Sequence, residues 1–170
     1  MKVGILGSDQ RAVAIGRLLA SGGNEVTFGD PRGEERARRA AAAIGAQVET
    51  PYEQAMTRDL LVFALPRTDV ERAITAMGAR PDGVVVDALD GSPKAAHQGA
   101  ELLARKLDSH DVVRALVVLA QPGANIPICG DDPQSKALVE EAFKAAGCRT
   151  TDRGPLGNAA ELEAGQAVAA

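Results

Sequence analysis

Aromatic side chains are almost missing from this chain of 170 residues, which has one Tyr, three Phe and no Trp. It therefore lacks the stacking platforms that single-strand nucleic-acid binders use and has few aromatic anchors for a protein interface. Positive charge is not in excess either. Nineteen Lys and Arg stand against 23 Asp and Glu, a net charge of −4. The basic residues are spread along the chain, which argues against nucleic acid or an anionic membrane as partner. No apolar run approaches the ~20 residues that cross a bilayer, and Lys2 leads into a short strand and a glycine rather than into a signal peptide. A cytoplasmic protein with a small-molecule ligand is expected. Cysteine is limited to Cys129 and Cys148, with no C-x-x-C and no His at ligand spacing. Buried free thiols are expected there, not a zinc or redox motif. The length suits one domain whose core needs neither disulfide nor metal.

What is present is an alternation. Strand-like runs at Val3 to Leu6, Glu25 to Phe28, Gln47 to Glu49, Leu60 to Leu65 and Val84 to Asp87 are separated by helix-length, Ala-rich and polar stretches. This is the βαβ rhythm of a parallel sheet. The continuous apolar runs around Leu60 and Val84 suit central strands buried on both faces. A helix over Glu34 to Ile44 stops before Gly45, and Thr50-Pro51 reads as an N-cap followed by proline at the first helical position. Further on, Asp90-Gly91-Ser92-Pro93 forms a turn, Ala95 to Leu107 can be helical, and Val112 to Leu119 reads as a strand. After the loop Gln121 to Asn125, Ile126 to Cys129 reads as an edge-type strand. A helix from Asp132-Pro133 to about Ala146 ends at Gly147, and Arg149 to Thr151 is a last strand. Ala159 to Ala170 forms a weak amphipathic helix.

The expected fold class is α/β, a Rossmann-like, doubly wound, mostly parallel sheet with helices on both faces. A single domain is expected over 1–170, with 155–170 as a candidate dimerising C-terminal helix and a homodimer as the assembly.

The segment Met1-Lys2-Val3-Gly4-Ile5-Leu6-Gly7-Ser8-Asp9-Gln10-Arg11-Ala12 reads as a dinucleotide-binding turn. Gly7 fills the first position of G-x-G-x-x-G, but Asp9 and Ala12 replace the second and third glycines. Ser8, Gln10 and Arg11 stand where helix N-terminal N–H groups meet a phosphate, and Arg11 can neutralise it. Asp9 has two readings: a cap on the helix start, or an occupant of the anion site. Asp30 lies near the spacing of a ribose-binding acid, and its other reading is a solvated turn before Pro31. Arg32 is a candidate for adenine or a 2′-phosphate, or else a surface Arg. Ala64-Leu65-Pro66 and Asp87-Ala88-Leu89 fall at the carboxyl ends of the central strands, where open α/β sheets bind ligands. Asp87 equally suits a turn cap. His97 and His110 read as surface residues rather than proton shuttles.

The opening turn, Val26 to Gly29 and Ala64-Leu65-Pro66 are shared by many Rossmann proteins. Two later segments are more distinctive: Ile128-Cys129-Gly130-Asp131-Asp132 with Ser135-Lys136, and Gly154-Pro155-Leu156-Gly157-Asn158. On these, the chain resembles the NADP oxidoreductase, coenzyme F420-dependent family over most of its length. The resemblance implies a hydride passing between a nicotinamide and a deazaflavin, both held at the carboxyl ends of the strands. The cofactors implied are NADP or NAD, with coenzyme F420 or a flavin as acceptor. The family receives the 2′-phosphate on a Ser-Arg pair where this chain has Asp30-Pro31-Arg32. An Asp there suits a ribose diol, so NADH is expected to equal or better NADPH. The turn Gln121 to Asn125 is shorter than the family's loop. No triad, paired-carboxylate site or metal cluster can be assembled, and hydride transfer needs none because the two rings carry the electronic work. The alternative is a non-catalytic Rossmann module whose dinucleotide turn is disabled by Asp9.

Overall fold

The computed structural model describes residues 1–89 and 99–162. Eight strands form one sheet: β1 (Lys2–Leu6), β2 (Glu25–Gly29), β3 (Gln47–Val48), β4 (Leu60–Phe63), β5 (Val84–Asp87), β6 (Val112–Ala115), β7 (Asn125–Gly130) and β8 (Arg149–Asp152). Their order is β3-β2-β1-β4-β5-β6-β7-β8. Every neighbouring pair is parallel except β6 and β7. The helices are α1 (Gln10–Ser21), α2 (Glu34–Ala42), α3 (Pro51–Thr57), α4 (Val70–Met77), α5 (Ala100–Leu107) and α6 (Pro133–Ala145).

The apolar runs separate into two cores by strict alternation, as a period of two requires. Leu60, Val62 and Ala64 face one side, with Ile15 and Leu19 of α1, Ala37 of α2 and Phe143 of α6. Leu61, Phe63 and Leu65 face the other, with Ala55 of α3, Ala73 and Met77 of α4 and Leu103 of α5. Helices thus cover both faces, and the Rossmann-like architecture expected from the sequence is present. The direction of winding reverses between β1 and β4, which are neighbours in the sheet. The connections that leave their carboxyl ends therefore run to opposite faces of the sheet, which makes the crevice of a doubly wound fold.

Local signals set the boundaries. Thr50 and Glu53 form a reciprocal capping box ahead of Pro51, and Asp132 caps α6 by accepting from Ser135 N–H. Three strand expectations are corrected. β4 stops at Phe63, because Ala64 and Leu65 belong to the crevice floor. β6 stops at Ala115: Val117 N–H turns back to Ala115 O at 3.1 Å, and Val118 and Leu119 are left 59% and 58% exposed. β7 lies inside the sheet rather than at its edge. Pro127 is tolerated there because it falls just past the end of β6, where its carbonyl still accepts from Leu116 N–H at 2.9 Å. The expected turn at Asp90-Gly91-Ser92-Pro93, the start of the helix from Ala95 with His97, and the end of the terminal helix lie outside the described residues.

Candidate functional site

Gly7 makes the turn that opens the crevice. Its φ is +131°, and a Cβ there would be driven into the Ala64 carbonyl, 2.7 Å from the carbon and closer still to the oxygen. Only glycine fits, which fixes the β1–α1 turn against the exit of β4. Asp9 then caps α1, its Oδ1 accepting from Ala12 N–H at 2.8 Å. The carboxylate is turned back onto its own helix. Ala12 is fully buried in the packing of α1 on the sheet, and the close helix–strand approach is made one turn later by Gly16. A Cβ at Gly16 would sit 2.5 Å from Phe28 Cζ. The sequence reading missed this glycine, although its place one turn beyond Ala12 was a usable signal.

On the β2 side of the turn, Asp30 follows β2 with its side chain wholly buried. Ser8 Oγ donates to Oδ2, Arg32 Nη2 donates to the same oxygen at 2.8 Å, and Arg32 Nε and the Arg32 N–H both donate to Oδ1, at 3.0 and 2.8 Å. Burial raises the Asp30 carboxyl, but the bonds from Arg32 and Ser8 outweigh it and hold the group below its ordinary range. Arg32 is raised in turn, chiefly by the bond to Asp30. Its Nη1 also lies 3.5 Å from Asp69, on the turn that follows β4. One-fifth of the Arg32 side chain stays exposed, in an open cup of about 530 Å³ lined by Ser8, Arg32, Gly33, Glu35, Arg36 and Arg39. The sequence reading did not single out Arg36 and Arg39, because on their own they resemble the solvated face of a polar helix.

On the other side of the turn lies a second depression of about 540 Å³, where Asp9, Gln10, Arg11 and Ala14 face Val117, Val118 and Ala120. One wall is charged and the other apolar. Arg11 Nη2 donates across the crevice to Leu89 O at 3.2 Å. Beneath it, Asp87 caps the exit of β5 by accepting from Leu89 N–H at 2.9 Å. Arg114 of β6 donates through Nη1 to Asp87 Oδ1 at 3.0 Å and to Leu89 O at 2.9 Å, with neither side chain exposed. Ala64, Leu65 and Ala88 are buried in the crevice floor and Pro66 is half-buried at its rim. The fold thus brings Gly7 to Arg11, Asp30, Arg32, Ala64 to Pro66 and Ala88 around one crevice.

Residues 2–91 match the model of the family described as NADP oxidoreductase coenzyme F420-dependent. The chain belongs to that family. A relative, the metalloreductase STEAP3 of Rattus norvegicus, is 28% identical over 176 residues, and the match takes in 96% of this chain. The chain spans 36% of that relative's length. Among solved structures, a protein of Arthrobacter sp. FB24 proposed to be an F420-dependent NADP reductase shares 20% identity at a TM-score of 0.78, over 99% of this chain and 91% of that one. A hypothetical protein of Sinorhizobium meliloti gives 17% identity and 0.77, over 92% and 86%. An imine reductase of Myxococcus stipitatus, in complex with NAD+, gives 16% and 0.74, over 99% and 60%. At these identities the solved structures bear on the fold alone. That family is described as one of NADP oxidoreductases.

His110 lies on the loop before β6 and lines a separate pocket with Asp108, Ser109 and Asp131. The distinctive later segments are bonded to each other. Asp131 Oδ1 accepts from Leu156 N–H at 2.9 Å, and Gly130 N–H donates to Gly154 O at 3.0 Å, tying the end of β7 to the chain beyond β8. Cys129 and Cys148 are buried free thiols. Among the described residues no group of three or more His, Cys, Asp or Glu is placed to hold a metal ion, and no helix is long and apolar enough to cross a membrane.

Proposed function

We propose that the chain binds NADPH along this crevice and passes a hydride from it to a ring acceptor of the flavin or deazaflavin type. The residues fit such a dinucleotide. Asp9 is engaged by Ala12 N–H, and the first turn of α1 presents N–H groups to a pyrophosphate. Ser8 and Arg32 would hold the adenosine end, and the floor formed by Ala64, Leu65, Pro66 and Ala88 would seat the nicotinamide. Val117 and Val118 offer an apolar wall to the acceptor. A nicotinamide bound there supplies the hydride. The chain's own part is to align two rings and exclude water, with no acid or base at the reacting carbon.

The observation that carries this reading is the Arg32 cup. Both oxygens of Asp30 are already taken by Arg32 and Ser8, so the carboxylate has little left to offer a ribose diol. What the cup presents is the exposed fifth of the Arg32 side chain, whose Nη1 lies 3.5 Å from Asp69, together with Arg36 and with Arg39, which pairs with Glu35 at 3.1 Å. A 2′-phosphate suits that surface, and on these contacts we read the cofactor preference in the direction opposite to the sequence-based expectation.

Calorimetric titration with NADPH and NADH in parallel tests it. NADPH should bind about tenfold tighter or better, about 1.4 kcal/mol, and Arg32→Ala should erase the difference. Equal binding, or a preference for NADH, returns Asp30 to the ribose. Binding of neither at millimolar ligand favours the non-catalytic module.

A further inference from the structure

The carbonyl of Leu89 accepts from two guanidiniums that are not equivalent. Arg114 Nη1 donates at 2.9 Å from inside the core, and Arg11 Nη2 donates at 3.2 Å from the first turn of α1. Arg114 is wholly buried and is also held by Asp87 Oδ1 and by the Asp87 carbonyl. Arg11 is half-buried and lines the open depression with Asp9, Gln10, Val117 and Val118. Its bond to Leu89 joins residues 78 apart in the chain and spans the crevice from the β1–α1 turn to the exit of β5.

Because Arg114 keeps the Leu89 carbonyl satisfied, Arg11 can leave it without orphaning a buried acceptor, which is what makes most such bonds costly to break. A phosphate oxygen is a stronger acceptor for a guanidinium than a peptide carbonyl. Arg11 also brings a cation to the pocket where Asp9 has put a carboxylate in place of the second fingerprint glycine. It stands on the β5 and β6 side of the turn, whereas Ser8 and Arg32 stand on the β2 side. We propose that Arg11 is an exchangeable latch: it crosses the crevice to Leu89 O in this structure and transfers to the nicotinamide-side phosphate when a dinucleotide binds. This rests on the dinucleotide reading above.

The test compares NADPH with adenosine 2′,5′-bisphosphate, which carries the adenosine half and lacks the nicotinamide-side phosphate. Both are titrated into wild type, Arg11→Ala and Arg11→Lys. Arg11→Ala should weaken NADPH about tenfold or more and leave the bisphosphate within about twofold, with Arg11→Lys between wild type and Arg11→Ala for NADPH. Unchanged or tighter NADPH binding by Arg11→Ala overturns the latch while leaving the dinucleotide reading intact. Equal weakening of both ligands also overturns it, since the substitution then acts through the fold of α1. If wild type binds neither ligand, the dinucleotide reading fails and the latch with it.

Discussion

Asp87 and Arg114 stand opposite each other on β5 and β6, with Nη1 3.0 Å from Oδ1 and no solvent exposure on either side chain. The pair also fixes two carbonyls of the crevice floor, those of Asp87 and Leu89. Deleting Arg114 takes this guanidinium away from the buried Asp87 carboxylate, and breaking a buried pair in this way costs roughly 3–5 kcal/mol. Arg114→Ala should therefore lose about that much stability in urea denaturation, and the double variant Asp87→Ala with Arg114→Met should lose less than either charge deletion alone. A loss below about 1 kcal/mol for Arg114→Ala would show that the pair contributes little.

The glycines should rank by what a Cβ would meet. Gly7→Ala combines a left-handed φ with a collision against the Ala64 backbone, whereas Gly16→Ala meets the rim of the Phe28 ring, which can shift. Gly23, at φ +79°, has nothing within 4 Å. We expect Gly7→Ala to be the most damaging, Gly16→Ala to cost about 1–3 kcal/mol, and Gly23→Ala to cost on the order of 1 kcal/mol from backbone strain alone. Denaturation midpoints in any other order would contradict these packing assignments.

Asp9→Asn separates the cap from the charge. Asparagine caps helices about as well as aspartate, so stability should stay within about 0.5 kcal/mol of wild type, while Asp9→Ala should lose about 1 kcal/mol. Removing the negative charge beside the pyrophosphate should tighten NADPH about three- to tenfold in Asp9→Asn, equivalent to about 0.7–1.4 kcal/mol. Unaltered affinity would mean that the capping bond already removes Asp9 from the electrostatics of the site.

The pH dependence at Asp30 has a definite sign. Its carboxyl is held below the ordinary 3.8, burial being overcome by the Arg32 and Ser8 bonds. A carboxylate depressed on folding contributes stability above its unfolded pKa and loses it as pH falls through the folded value. The stability gap between wild type and Asp30→Asn should thus be flat from neutral pH to about pH 5 and close only below about 4. A gap that narrows already between pH 7 and 5 would place the folded pKa on the other side of 3.8.

Neither thiol should react in the native protein. Burial pushes Cys129 up to about 12, only partly offset by Arg114, and raises Cys148 as well. Thiolate is the reactive form, so an aromatic disulfide reagent at pH 8 should report both sulfurs only after urea is added. Prompt reaction of one sulfur in native buffer would show that its surroundings open.

The sheet was legible because its strands carry unbroken apolar runs such as Leu60 to Phe63, whose alternate residues feed two cores. Arg114 was not, since a lone arginine between Val113 and Ala115 carries no mark of burial until Asp87 is set beside it. The reversal at β7 could have been read. Parallel neighbours need a crossover of a dozen or more residues, usually helical, and the stretch between Ala115 and Asn125 has no helical pattern, which favours an antiparallel return. Asp30 shows the limit of spacing arguments. Its distance from the glycine turn fits a ribose ligand, but where its carboxylate points is decided by Arg32 two residues on.

The sheet order also governs how copies of this protein can meet. One border is β3, only two residues long, and the other is β8, Arg-Thr-Thr-Asp, with Asp152 held by Lys136 at 2.7 Å. Short and charged borders discourage strand-upon-strand growth between molecules. Among the described residues, the sheet thus offers a second copy little open edge to extend.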